Sequence, residues 1–233
     1  MLQSLLNKFK HRPFPPNLQA LRRCLVSYSQ FGEDLYISTL FGGRKVTGTY
    51  VDVGCYSPIE FSNTYIFYQR GWHGLAIDPN PGWQREWQRY RPRDRFVNTA
   101  VSNKTGTSGY LMYELYPACN RLVTEQSAAV SLAEEPGDPK WGTPRLITVP
   151  TRPLTDIIAE VFPDAKIDLL NVDCEGHDLT ILHTLDFSRY RPEVISAEDS
   201  STRLDSPLCS FLQAKGYECL AYIGLTKVFR VKV

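Results

Sequence analysis

An α/β fold built on a mostly parallel sheet is what this sequence predicts, and three observations predict it. Short apolar runs alternate with helical patterns along most of the chain, as in βαβ units. One run, "KIDLLNVD", is almost wholly apolar, as central parallel strands are. Acids then recur where successive strands end: Asp52, Asp78, Asp173 and the pair Glu198–Asp199.

The elements follow in order. "SQFGEDLYISTLFGG" reads as a helix with Leu35, Leu40 and Phe41 inward and Gly42 at its end. A strand covers Thr49–Val53, "HGLAIDPNP" gives a second ending at Asp78, "WQREWQRYR" is a helix and "RFVNTAVS" a third strand. Residues 103 to about 150 break the rhythm with a strand candidate around Tyr110–Tyr116, a polar stretch and "RLITVPT", which can close a hairpin. An insertion this long reads as a functional lid or a loop without fixed structure, part of it mobile.

Regularity returns in "PLTDIIAEVF", whose Leu154, Ile157, Ile158 and Val161 share one helix face. "HDLTILHTL" is a helix and "PEVISAED" a strand. In "DSPLCSFLQAKGY", Ser206 caps a helix, Pro207 takes its first turn and Gly216 stops it. "YECLAYIG" and "TKVFRVKV" form a closing antiparallel hairpin through Gly224.

The chain has 233 residues, 42% of them hydrophobic, and a formal net charge of +1. That length suits one large domain, over 27–233, after a basic N-terminal arm over 1–26. The near-neutral charge exerts no general pull toward nucleic acid. No apolar run approaches the roughly 18 residues of a membrane span. "MLQSLLNKFKHRPFPP" lacks the apolar core and cleavage site of a secretory signal, so peripheral membrane contact through the arm competes with a plain surface helix. The six cysteines form no CxxC pair and match no zinc spacing, which reads as reduced thiols in a cytoplasmic protein.

In "TYVDVGCYSP" a strand carries Asp52 and runs straight into Gly54. A glycine there lets backbone approach a ligand at the carboxyl edge of a parallel sheet. GxGxxG and the P-loop are both absent, which opposes a dinucleotide or a nucleoside triphosphate. A ligand with an amino-acid head and a ribose fits the acids better: Asp52 for the ammonium, Asp78 for the ribose hydroxyls. S-adenosylmethionine is such a ligand.

At this point the chain resembles the FkbM-type methyltransferases. The matching stretches are "YSQFGEDLYISTLF", "GTYVDVGCYSP", "FSNTYIFYQRGWHGLAIDPNP", "YRPRDRFVNTAVSNKTG", "IDLLNVDCEGHDLTIL" and "YRPEVISAED", in the family's order over most of 28–199. The resemblance implies a Rossmann-like class I methyltransferase fold: a seven-stranded sheet with helices on both faces. It also implies S-adenosylmethionine-dependent O-methylation of a saccharide, glycan or natural-product hydroxyl.

On that basis Asp52, Gly54, Tyr56, Asp78, Asn98 and Asp173 are expected at the donor, with a turn or a buried strand end as the plain alternative for several. His177 is the candidate base, assisted by Asp173, and a helix-start histidine bonded to backbone is the competing reading. His73 ranks behind it. Asp173, Glu198 and Asp199 can gather as an oxygen site for Mg²⁺, or serve the donor and a loop instead. The run Arg85, Arg89, Arg91, Arg93 and Arg95 with Trp83, Trp87 and Tyr90 suits a nucleic-acid-binding or non-catalytic module, but reads more simply as a solvated helix face.

Overall fold

The alternation that marks Thr49–Val53 (β1) as a strand sends its side chains to two different cores. Val51 and Val53 pack with Leu75, Leu170 and Ile195. Tyr50 lies on the opposite face with Ile37, Phe67 and Trp72. These observations come from a computed structural model describing residues 25–42, 47–123, 142–164 and 166–232. The expected arm therefore lies almost wholly outside the described residues, as does the polar centre of the insertion.

From β1 the chain passes through Tyr65–Gln69 (α2) to His73–Ile77 (β2), then Gln84–Tyr90 (α3) to Arg95–Val97 (β3); Glu33–Leu40 (α1) precedes them. It returns through Leu154–Val161 (α4) to Leu169–Val172 (β8), Asp178–Leu182 (α5), Val194–Glu198 (β9), Pro207–Ala214 (α6), Tyr217–Ile223 (β10) and Thr226–Val231 (β11). The sheet has seven strands in the order β10-β11-β9-β8-β1-β2-β3. Neighbours from β9 to β3 are parallel, and β11 runs antiparallel between β9 and β10. Ile37 and Phe67 bring α1 and α2 to one face, while Leu154, Ile181 and Leu208 bring α4, α5 and α6 to the other. Chain order reverses between β1 and β8, which opens a crevice at their carboxyl ends.

One element departs from expectation. "RFVNTAVS" is not a single strand: β3 stops at Val97, and Ala100–Val101 (β4) joins a second sheet. The turn is fixed where the Thr99 amide donates to the Val97 carbonyl and the Thr99 hydroxyl to the Pro150 carbonyl, at 3.1 and 3.0 Å. The second sheet runs β4-β7-β5-β6, with Gly106–Tyr113 (β5), Arg121–Val123 (β6) and Pro144–Arg152 (β7). β5 and β7 pair antiparallel from Gly106↔Thr151 to Tyr113↔Pro144, the pairing expected of "RLITVPT". Among the described residues no helix is long and apolar enough to cross a membrane.

Candidate active site

At the end of β1 the backbone turns at Gly54, with φ +74°. A Cβ on Gly54 would stand 1.8 Å from the Asp173 carbonyl oxygen, so the ends of β1 and β8 meet there only because this residue has none. Among the described residues three non-glycine residues also hold left-handed backbone: Tyr56, Phe61 and Glu175, at φ +44°, +56° and +50°. Each costs about 1–3 kcal/mol, and such strain gathers at ligand sites. All three line a single cleft of about 270 Å³, together with Asp173 and Glu198.

A second, inner chamber of about 60 Å³ adjoins the cleft, sharing Gly54, Tyr56, Ala118, Asp173 and Glu175 with it. Its walls come from both sheets: Ile77 and Asp78 at the end of β2 on one side, Ala100, Tyr110 and Leu122 of the second sheet, with Asn120 just before β6, on the other. Together the two reach the lower end of the roughly 300–1,000 Å³ typical of small-molecule sites.

Asp78 is 5% exposed and accepts hydrogen bonds from the Tyr56 and Asn80 amides at 3.0 and 2.8 Å. Burial pushes its carboxyl up to about 6, against the pull of those two bonds. Asn98 does not line either chamber; its amide donates to the Asp78 carbonyl at 2.8 Å and ties the ends of β2 and β3 together. Asp173 lines both chambers, and its carboxylate accepts no hydrogen bond among the described residues. Burial, then Glu198, Asp178 and Glu175, push its carboxyl well up. Burial likewise drives Glu175 to about 7 and Asp178 to about 8, with Glu198 adding to both.

His177 lines the inner chamber, and its Nε2 stands 3.1 Å from the Leu122 carbonyl oxygen. A carbonyl only accepts, so that contact needs a proton on Nε2 and leaves the lone pair of the neutral ring on Nδ1. His73 is remote, at the opposite end of β2 with its ring against Phe162.

Asp52 does not reach the chambers. It is 1% exposed, and its two oxygens accept from Thr64 Oγ1 at 2.5 Å and Asn171 Nδ2 at 2.9 Å. The Asn171 carbonyl oxygen accepts in turn from Ser196 Oγ at 2.6 Å. Behind Thr64 stands Arg91, which donates to Thr64 Oγ1 at 2.9 Å and pairs with Asp94 at 2.7 Å. The expectation of a solvated face therefore fails at Arg91, whose guanidinium is buried over the Trp87 ring. It fails because two carboxylates and an indole repay the lost hydration. Sequence reading overlooked Asn171 and Ser196, although each is a lone polar residue inside an apolar strand.

The proposed Mg²⁺ site is corrected. Asp199 turns away from Asp173 and Glu198, pairing with Lys227 at 2.8 Å and accepting from Ser206 Oγ at 2.5 Å. Among the described residues no group of three His, Cys, Asp or Glu side chains is placed to hold a metal ion. A buried lysine offers Asp199 a charge partner that a shared cation site would have to displace.

The model of the methyltransferase FkbM domain matches residues 52–219, most of the chain. This chain belongs to the FkbM methyltransferase domain family. No curated protein matches it. Among solved structures it is similar to a TehB-like SAM-dependent methyltransferase from Corynebacterium glutamicum, at 12% identity over 99% of this chain and 97% of that one, TM-score 0.42. It is also similar to a 1,6-didemethyltoxoflavin-N1-methyltransferase from Burkholderia thailandensis with S-adenosylhomocysteine bound, at 14% identity over 100% and 88%, TM-score 0.41.

Proposed function

We propose that this FkbM-family chain transfers the methyl group of S-adenosylmethionine to a hydroxyl of a saccharide, glycan or natural product. The observation that carries the reading is the pair of joined chambers at the switch point, beside a glycine whose missing Cβ lets the ends of β1 and β8 close together. In this reading Asp78 accepts from the ribose hydroxyls, Gly54 lets the donor lie against the strand ends, and the unpartnered Asp173 takes the ammonium. Asp52 contributes from beneath, holding Asn171 and Thr64 in place. The donor supplies an electrophilic methyl group on sulfur.

The outer cleft suits the acceptor. Phe31, Tyr56, Phe61 and Tyr116 offer ring faces for the apolar faces of a sugar, and Glu175 and Glu198 offer acceptors for its hydroxyls. His177 Nδ1 takes the proton as the hydroxyl oxygen attacks the methyl carbon, the C–S bond breaks and S-adenosylhomocysteine leaves. Holding both reactants in line lowers the barrier further.

The test is a calorimetric titration with S-adenosylhomocysteine followed by methyl transfer from labelled donor to a panel of glycosides. We expect tight binding and turnover. In His177→Ala turnover falls about a hundredfold with binding kept. Full activity in that variant removes His177 from the chemistry, and binding of oligonucleotide without turnover favours a non-catalytic module.

A further inference from the structure

We propose that Asn120, carried by the inserted second sheet, reads the purine of the methyl donor by donating from Nδ2 to a ring nitrogen. The inference rests on the donor reading above and adds to it a recognition residue on an element other than the parallel sheet.

Three observations converge on Asn120. First, its orientation is set: Oδ1 accepts from the Tyr113 backbone N–H at 2.7 Å, and an N–H can only donate, so Nδ2 points the other way. Second, Asn120 is 9% exposed, and among the described residues Nδ2 has no hydrogen-bond partner. The Tyr110 hydroxyl stands near enough to feel the amide, but the two do not meet at hydrogen-bonding geometry. A buried donor left unmade is unfavourable, and a ligand acceptor would relieve it. Third, Asn120 lines the inner chamber, whose about 60 Å³ exceeds the roughly 10–15 Å³ that one water needs.

The other walls select what that acceptor belongs to. Ile77, Ala100, Val101, Leu122 and Ile181 surround the chamber with apolar surface fit for a flat ring. Asp78 stands beside them at the place for ribose hydroxyls, so the base lies beyond it, against Asn120. Adenine offers ring nitrogens as acceptors and no ring donor, which matches the unmade donor of Asn120. Local geometry holds Asn120 there: its backbone N–H donates to the Pro117 carbonyl at 3.2 Å, closing the turn Pro117–Cys119 ahead of β6.

The experiment titrates the full chain with S-adenosylhomocysteine and with its 1-deaza, 3-deaza and 7-deaza analogues. One analogue should bind about ten- to a hundredfold more weakly than the parent, the range of a lost hydrogen bond to a buried donor. Asn120→Asp keeps an oxygen for the Tyr113 N–H but has no Nδ2 donor. It should lose a similar factor toward the parent, treat that analogue and the parent alike, and melt where the unmodified chain melts. Equal binding of all three analogues and the parent overturns the proposal, as does an Asn120→Asp variant that binds or discriminates as before. The analogue series needs no substitution, so a variant that fails to fold leaves the question decidable. If the unmodified chain does not bind S-adenosylhomocysteine at all, the donor reading falls first, and this one with it.

Discussion

Asp52 and Asp173 stand on adjacent parallel strands and end in opposite circumstances. The register pairs Asp52 with Asn171 and Val53 with Val172, so Asp173 falls beside Gly54, at the rim. At about 3.3 Å per residue, Asp52 is some two residues short of it. There it meets Thr64 and Asn171, backed by Arg91, and both of its oxygens are engaged. Asp173 lines the chambers, where the nearby charges that act on it most are other acids, and among the described residues its carboxylate accepts no hydrogen bond. A carboxylate with partners holds the fold together; one without them is held ready for a ligand at the fold's expense.

The largest break in this arrangement comes from Gly54→Ala. A Cβ driven against the Asp173 carbonyl forces the ends of β1 and β8 apart. Binding of S-adenosylhomocysteine should vanish in a titration, and denaturant unfolding should show a loss of about 4 kcal/mol, the range of special backbone sites.

A matched pair sharpens the contrast. Asp52→Asn disturbs a saturated network and should cost about 1–3 kcal/mol of stability while weakening the donor only modestly. Asp173→Asn removes a group repelled by its neighbours and should leave stability at pH 7 equal or higher, yet cut donor binding sharply. Equal stability losses in the two variants would erase the distinction.

The smallest effect is a pH dependence at Asp78. Its carboxyl is raised by burial from 3.8 to about 6, so between those values the folded protein holds a proton that the unfolded chain has released. Stability of the unliganded protein therefore falls as pH rises through that window. Affinity for S-adenosylhomocysteine runs the other way, strengthening through about pH 6 as Asp78 ionises and can accept from the ribose. Asp78→Asn should flatten the binding profile near pH 6 and remove only the share of Asp78 from the stability profile, since Glu175 and Asp178, raised to about 7 and about 8, act in the same direction.

Much of the fold was legible because periodicity is local. The alternation in "TYVDV" and the apolar run "LLNV" mark strands, and Ser206, whose hydroxyl accepts from the Cys209 amide, starts α6 as the residue types require. The split after Val97 was not legible, because Ala100–Val101 leaves the parallel sheet only when β7 is there to receive it. Nor was the burial of Arg91: Trp87 and Asp94 lie within about a helical turn of it, but Thr64 comes from a distant segment that only the fold brings up to it.

By itself, then, the sequence determined the strands and helices, the carboxyl-edge acids and the glycine that joins them, since each depends on residues within a few positions. Tertiary structure alone decided which acid faces the chambers, which arginine is buried and which amide is left free. Register and sheet pairing place side chains from distant segments within hydrogen-bonding reach, and a shift of one residue would turn each of them to the opposite face.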